Sequence, residues 1–454
     1  MKQQLEKMKK MPPLPLAQRV TLLKKLAQTI KSNQTKIIHA VSQDFSHRCQ
    51  QESQMAEIMV CLDEIKHALN HIKQWTQTRT WHANWKFFPS KCAVYPQAKG
   101  VVGIMAPWNY PVNLVIEPLV AAIAAGNRVM IKPSEITPKT SETLKHMLSE
   151  VFSENEVYVV LGDVKVADAF SRLPLDHILF TGSTQVGKIV MRNASENLTP
   201  VTLELGGKSP VLIDDDYPVM KAAKSIVQGK WFNAGQTCIA PDYILVSKPK
   251  FKELVDAIKQ QVKLCYPDFA TNNDYSAVVN LSHLQRLKQL LSGLEDSQVM
   301  SLSDQAQNQA NQKLPPTLIV NPPTNHPVME QEIFGPLLPI ITTDNLDSAI
   351  AFINQRPNPL TLYFYSNNQK HIQKVRTQTR SGSLAINETL VHFAQEGLPF
   401  GGIGASGMGS YHGYQGFVAM SHMKSVYYQS RLNFNGIVRA PYTQLKKRIL
   451  RLMS

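Results

Sequence analysis

His177-Ile178-Leu179-Phe180-Thr181-Gly182-Ser183-Thr184-Gln185-Val186-Gly187-Lys188-Ile189 passes from a short apolar run, through a Gly-Ser turn, into residues at helical spacing. It reads as a strand, a tight turn and a helix beginning near Gln185. The same alternation extends outward in both directions. Gly100 to Met105, Val129-Met130-Ile131, Val157-Tyr158-Val159-Val160 and Val201-Thr202-Leu203 are short apolar strands separated by helix-length segments. Strands of this kind, buried on both faces and joined by helices, predict βαβ units in a mostly parallel sheet. A second α/β lobe is expected from about Ser209, with strands at Pro210-Val211-Leu212-Ile213, Tyr243-Ile244-Leu245-Val246 and Leu338-Pro339-Ile340-Ile341. Its Gln-rich stretch, Ser301 to Lys313, reads as a surface loop within that lobe.

Two amphipathic helices precede the sheet, one marked by Val20, Leu22, Leu23, Leu26 and Ile30, the other running from Met55 to Ile72; both read as scaffold. Between Trp81 and Val102 aromatic and β-branched residues interrupted by Pro89 and Pro96 predict an extended hairpin. The most apolar stretch, Val112 to Ala125, is about 14 residues long and carries Asn113, Glu117 and Pro118. It is too short and polar to span a bilayer and reads as a buried helix.

Three glycine patterns separate possible nucleotide chemistries. Gly182 to Lys188 has P-loop spacing, but Ile189 stands where a magnesium-binding hydroxyl is required, which argues against a nucleotide hydrolase. Thr202 to Ser209 ends in Gly-Lys-Ser but opens without glycine. Gly402-Ile403-Gly404-Ala405-Ser406-Gly407 fits GxGxxG, yet no βαβ unit follows it, so it reads better as a close-packed loop near an active site. The first pattern keeps a use. Backbone N–H groups of Gly182 and Ser183 at a helix start can cradle a pyrophosphate without magnesium, although an ordinary βα turn has the same sequence.

With 454 residues, 43% of them hydrophobic, the chain has enough length for two or three domains, and its composition excludes disorder and collagen-like repeats. A net charge of +14 suits nucleic acid, an anionic membrane, a phosphate-bearing cofactor or an acidic product, and cannot choose among them. Part of the excess is local: from Arg431 onward there are six basic and no acidic residues, with Leu445, Ile449 and Leu452 at helical spacing. That segment is either a solvated tail or a weak, salt-sensitive contact with a membrane surface. Five scattered cysteines without a CxxC pair fit a reducing compartment and no structural metal. The charged N-terminal residues lack a signal peptide's apolar run, so a cytoplasmic location is expected.

Cys238 lies in Gly235-Gln236-Thr237-Cys238-Ile239-Ala240-Pro241, and Glu204 lies 34 positions upstream in Thr202-Leu203-Glu204-Leu205-Gly206-Gly207-Lys208. A single cysteine is more often packing than chemistry. The small polar approach to this one is poor core material, however, and allows close access by a substrate. A thiol beside a carboxylate suits covalent catalysis, the thiol adding to a carbonyl and the carboxylate activating water against the thioester.

Together with Pro107-Trp108-Asn109-Tyr110-Pro111, Lys132-Pro133-Ser134-Glu135, Phe180-Thr181-Gly182-Ser183 and Glu332-Ile333-Phe334-Gly335-Pro336, these segments resemble the aldehyde dehydrogenase superfamily, in the family's order. Cys238 to Tyr243, Pro357-Asn358-Pro359-Leu360 and Gly407 to Gly413 are similar to its class 3 branch; Asp44 to Arg48 and Glu52 to Glu57 look most like coniferyl aldehyde dehydrogenases. The resemblance implies an α/β fold with a Rossmann-like NAD-binding domain (1–76 and 98–206), a catalytic domain (207–404) and a bridging β element with the C-terminal tail (77–97 and 405–454). It implies NAD(P)-dependent oxidation of an aldehyde, hydrophobic to judge from Tyr110, Thr237, Ile239, His392 and Phe393 as lining for the mouth of the site.

The family's roles carry over residue by residue. Cys238 is the expected nucleophile and Glu204 the general base, its apolar neighbours raising its pKa. Asn109 is the expected oxyanion donor with the backbone N–H of Cys238, although the residue could equally cap a turn before Pro111. Loss of one such donor typically costs ~3 kcal/mol of transition-state stabilisation. Lys132 and Glu135 would contact the adenosine ribose, Trp108 would line the cofactor site, Gly182, Ser183 and Gly187 would form the phosphate turn, and Glu332 and Phe334 would hold the nicotinamide end. Glu135 favours NAD over NADP by repelling a 2′-phosphate, an effect Lys132 could offset. A small aldehyde is the expected partner, with no nucleic acid, no transmembrane segment, and a homodimer formed over the hairpin's uncovered edge. The alternatives are a nucleotide hydrolase or a catalytically silent relative.

Overall fold

The computed structural model describes residues 1–303, 312–433 and 435–453. The βα alternation builds a six-stranded sheet ordered Gly407–Met408, Val201–Leu205, His177–Gly182, Val101–Met105, Arg128–Lys132, Val157–Val159. Every neighbouring pair is parallel except the first. Val101–Met105 and Arg128–Lys132 are buried along their whole length, which is why they lack an alternating pattern. The helix Asn113–Ala125 covers them, buried at every position and ended by Gly126 in the left-handed conformation at φ 93°.

The chain enters this sheet at Val101–Met105, moves outward to Val157–Val159, then returns to the other side with His177–Gly182. Such a reversal opens a crevice at the carboxyl ends of the two central strands, where open α/β sheets bind ligands. Met105 lies opposite both Lys132 and Phe180 in register, so the segments carrying Trp108, Lys132 and Gly182 all leave the sheet at that one edge.

A seven-stranded sheet forms the second lobe: Val299–Ser301, Thr317–Val320, Leu337–Thr343, Tyr243–Ser247, Pro210–Ile213, Thr361–Tyr365, Ser383–Ile386. Only its first pair is antiparallel. Alternate residues feed two cores. Val211, Ile213, Ile244 and Val246 meet the helices Val219–Trp231 and Lys248–Cys265, whereas Leu212, Leu245, Leu362 and Phe364 meet Leu284, Ile350 and Val375. The polar loop expected at Ser301 to Lys313 falls, over residues 304–311, outside the described residues.

The hairpin pairs Arg79–His82 with Lys91–Ala98, and Ser421–Tyr428 adds a third strand. The expected first helix is Leu16–Ser32, and two further helices, Lys2–Lys9 and Gln34–Asp44, flank it. The second departs from the scaffold reading. A π turn at Gln54–Met59 precedes the helix Val60–Trp75, and the extra residue per turn breaks the apolar stripe. Met55 and Met59 are consequently 43% and 49% exposed, while Glu52 and Glu57 are buried.

Candidate active site

At the crevice, Lys132 ends its strand buried, its Nζ donating to Pro133 O at 2.7 Å and pairing with Glu135 Oε2 at 3.3 Å. Gly182 ends the neighbouring strand, and Ser183 caps the helix Thr184–Ser195 by accepting from Val186 N at 3.4 Å. Gly187 lies one turn further in. A Cβ there would come within 2.6 Å of Leu205 Cδ2, so its glycine lets the helix lie close on the strand Val201–Leu205.

The opposite wall is the segment Glu332 to Pro336. Phe334, at φ 48°, meets Trp108 edge-on at 5.3 Å between ring centroids, and His283 packs on the same indole at 4.7 Å. Glu332 lies against Gly206, where a Cβ would be 2.1 Å from its Oε2. Burial pushes the Glu332 carboxyl up to about 8, with a smaller push from Asp242, against the Gly207 N–H, Lys208 and Arg286. Lys208 holds this wall in place: it pairs with Asp242 and donates to Val328 O at 2.8 Å and Gln331 O at 3.0 Å, while Asp242 Oδ2 accepts from Ile333 N at 2.9 Å. Thr181 Oγ1, His283 Nδ1 and Glu332 Oε1 are buried without protein partners. Unpartnered polar atoms near a helix start, a lysine–glutamate pair and an indole form a donor and acceptor set that suits a dinucleotide.

Cys238 is reached through an unusual backbone. The helix Val219–Trp231 gives way to Asn233, Ala234 and Gly235, all left-handed at φ 51°, 51° and 75°. Gly235 is obligatory there, since a Cβ would lie 2.3 Å from Gly335 O. Cys238, half-buried, lines a cavity of about 670 Å³ together with Tyr110, Leu114, Ile239, Leu390 and Phe393. His392 is not among the lining residues. Its Nε2 lies 3.2 Å from Thr361 Oγ1, and the ring meets Tyr363 edge-on at 5.8 Å.

Burial is the main cause that pushes the Cys238 thiol up to about 12; Glu332 and Glu204 add to it, and the N–H groups of Cys238 and Ile239 oppose it. The resting sulfur is therefore a thiol, and attack on a carbonyl must be coupled to loss of its proton. Asn109, 2% exposed, is tied to the turn that carries Cys238: its Nδ2 donates to Gln236 O at 3.2 Å, and its backbone carbonyl accepts from Asn233 Nδ2 at 3.2 Å. Glu204 is buried in the strand Val201–Leu205, both carboxyl oxygens unpartnered, and burial raises its pKa well above the usual carboxylate range. The glycine-rich loop closes the far side of that strand, with Gly407 opposite Glu204 in antiparallel register. The Asn109 amide is thus bonded to the turn that carries Cys238, and Glu204 lies opposite Thr181 on the strand beside the one that ends at Gly182.

Sequence reading assigned no role to Arg48, Glu52 or Glu57. Arg48 Nη1 donates to Glu57 Oε1 at 2.9 Å and to Asn109 O at 2.8 Å. Glu52 Oε2 accepts from Asn233 N at 3.1 Å and Ser276 Oγ at 2.6 Å. Glu57 within the apolar run around Ile58 was the available signal; Glu52 lies in the polar stretch Gln50 to Gln54 and gave none. Among the described residues no group of acidic, histidine or cysteine side chains could hold a metal, and no helix is long and apolar enough to cross a membrane.

Glu204 carries a measurable signature in stability. Its folded pKa is raised, so the folded protein holds a proton that the unfolded chain releases above the ordinary carboxylate pKa, and stability falls as pH rises through that window. Replacing Glu204 by Gln removes this loss. The Tm difference, variant minus wild type, should grow as pH rises above the ordinary carboxylate range in scanning calorimetry; a flat difference would contradict the buried, unpartnered carboxyl.

The profile of the Aldehyde dehydrogenase family matches residues 1–426. A Pseudomonas aeruginosa protein described as a probable coniferyl aldehyde dehydrogenase is 46% identical over 431 residues, covering 95% of this chain and 90% of its own. The structure of the substrate-bound state of Staphylococcus aureus AldH is similar with a TM-score of 0.95 at 40% identity, covering 100% of this chain and 99% of its own. A Mycobacterium tuberculosis aldehyde dehydrogenase complexed with NAD+ is similar with a TM-score of 0.82 at 26% identity, over 91% of this chain and 85% of its own.

Proposed function

Because the chain belongs to the aldehyde dehydrogenase family and is an NAD(P)-dependent oxidoreductase acting on aldehydes, we propose that it converts a hydrophobic aldehyde to its carboxylic acid through a thioester on Cys238. One observation carries this reading: Cys238 stands in an apolar cavity with the unpartnered carboxyl of Glu204 near enough to perturb its thiol. Cys238 adds to the aldehyde carbonyl as its thiol proton passes to water and on to solvent, the new S–C bond leaving the charge on the carbonyl oxygen. Asn109 Nδ2 and the Cys238 N–H receive the developing oxyanion, in a site dry enough for such donors to act strongly. Bound NAD(P)+ supplies the hydride acceptor. Glu204 then draws a proton from water as that water attacks the thioester, which releases the acid and restores the thiol.

Lys132 and Glu135 would hold the adenosine ribose, Gly182 and Ser183 the pyrophosphate with Gly187 allowing the helix its close approach, and Trp108, Glu332 and Phe334 the nicotinamide end. The Glu135 carboxylate favours NAD, and Lys132 beside it leaves NADP usable. We take the three sheets as supporting a cofactor domain at 1–76 and 98–206, a catalytic domain at 207–404 and a bridging segment at 77–97 and 405–454. Free cysteines without a disulfide among the described residues favour a reducing, cytoplasmic setting.

Cys238→Ala should abolish oxidation while NAD binding stays within about twofold, since the thiol alone makes the bond to substrate. Glu204→Gln should give a rapid burst of about one reduced cofactor per site followed by a slow steady rate. Retained turnover in the first variant, or an unchanged steady rate in the second, removes these roles.

The cavity's size and apolar walls suit an aryl, cinnamyl (coniferyl) or medium-chain aliphatic aldehyde. Steady-state kinetics on such a panel with both cofactors should give kcat/KM at least tenfold above that for a short, charged aldehyde, and the reverse order would overturn the assignment.

The exposed edge strand Arg79–His82 supports a homodimer, which sedimentation would register as twice 50.9 kDa. The helix Gln444–Met453, with Leu445 and Leu452 exposed beside Lys447, Arg448 and Arg451, supports weak binding to anionic lipid. Full-length protein left in the supernatant with phosphatidylserine vesicles at low salt would end that part of the reading.

A further inference from the structure

The helical turn Gln50–Ser53 and the π turn that follows it direct the buried side chains of Arg48, Glu52 and Glu57 inward, where they are tied to both halves of the reaction site. Arg48 is 1% exposed, and its single Nη1 bridges Glu57 Oε1 and the backbone carbonyl of Asn109. Its guanidinium carbon lies 5.1 Å from the Phe45 ring centroid and 4.7 Å from that of Tyr110, so the fork is held between two aromatic faces. Tyr110 in turn shares a 2.6 Å hydrogen bond with Thr237 Oγ1, next to Cys238. Glu57 Oε2 accepts from Val112 N at 3.1 Å and Asn113 N at 2.9 Å, at the start of the helix Asn113–Ala125. The segment 109–113 is therefore gripped at its first residue by Arg48 and at its end by Glu57. On the other side Glu52 holds the N–H of Asn233, in the left-handed turn that leads to Cys238.

A buried ion pair is a weak source of stability, because desolvating both ions offsets most of their attraction, and apolar side chains of the same volume often do as well. Arg48 also leaves Nε and Nη2 without partners, a cost an apolar residue would not carry. What the charged pair supplies is direction: one N–H aimed at one carbonyl, and a carboxylate aimed at two N–H groups. An oxyanion donor has to be held within about 0.5 Å of its working place, and misplacement by about 1 Å can cost about a hundredfold in rate.

We propose that Arg48, clamped by Glu57, is a positioning residue for the oxyanion site: it fixes the Asn109 segment relative to the Cys238 turn so that the amide meets the carbonyl oxygen as the thiol adds. This rests on the assignment of Cys238 and Asn109 above, and acts through them without touching the substrate.

The test compares wild type with Arg48→Met, Glu57→Gln and the double variant, reading Tm, NAD affinity, aldehyde KM, and the single-turnover rate of reduced-cofactor formation. Arg48→Met strands the Glu57 carboxylate and should lower Tm; the double variant should recover most of it. The single-turnover rate should stay about a hundredfold low in both, with NAD affinity and KM within about threefold of wild type. A rate that recovers together with Tm in the double variant would make the pair merely structural and overturn the proposal. Should the double variant fail to fold, Arg48→Lys decides, since it keeps the charge but not the fork: a single-turnover rate within twofold of wild type overturns the proposal, and a slow rate at wild-type Tm supports it. Turnover retained by Cys238→Ala would instead sink the underlying mechanism, whatever the Arg48 series gives.

Discussion

Three successive left-handed residues, Asn233, Ala234 and Gly235, turn the chain from the end of a helix into the loop that carries Cys238. Two of the three are not glycine, so the turn is strained and must be held by its surroundings. The holding is specific. Glu52 takes the N–H of Asn233, Asn233 donates to the Asn109 carbonyl, and Gln236 ties the turn to Ala277 and Val279 by bonds of 3.0 and 2.9 Å. Gly235 passes so close to the Gly335 carbonyl that the turn also fixes the wall bearing Glu332 and Phe334. Sulfur, amide and cofactor wall are therefore set by one backbone feature, and a change in it would move all of them together.

The electrostatics follow from burial more than from charge. Cys238, Glu204 and Glu332 all sit where the ionised form is disfavoured, and desolvation is the largest cause in each case. Disfavouring the ionised forms spares the resting protein an uncompensated buried charge. Charge then has to develop during the reaction, at atoms where donors already point, which is the circumstance in which a dry site acts most strongly. Lys208 and Asp242 illustrate the opposite arrangement: a fully engaged ion pair with further bonds to backbone carbonyls, which holds a loop and leaves no reactive group free.

Much of the fold could be read along the chain because it is written in local patterns. Val101 to Met105 and Val129 to Ile131 are apolar on both faces since a parallel sheet buries both faces, and Val112 to Ala125 is apolar all round since its helix is buried all round. Thr317–Val320, Thr361–Tyr365 and Ser383–Ile386 went unread because they are only four or five residues long, too short for a periodicity to show, although Pro315-Pro316 and Pro322-Pro323 bound the first and Pro359 and Ser366-Asn367 the second. The second amphipathic helix misled because a π turn shifts side chains by one position, which periodicity cannot anticipate. It carried Met55 out of the expected core and Glu57 into it. His392 read as lining on the strength of its neighbour Phe393, yet it turns toward Tyr363.

The sequence by itself determined the residue types with the right chemistry, since a thiol in a small polar setting, a carboxyl among leucines and glycines, and a Gly-Ser turn after a strand are local facts. It also determined the alternation that places Trp108, Lys132 and Gly182 at strand ends. Only the tertiary structure decided that Arg48, Glu52 and Glu57 grip the site from beneath, because, apart from the Arg48–Glu57 pair itself, their partners lie from 55 to 224 positions away. The physical reason is the range of the forces. Periodicity and turn chemistry act over a few residues, whereas burial, the satisfaction of buried polar groups and the pKa of an enclosed carboxyl depend on what the folded chain brings alongside.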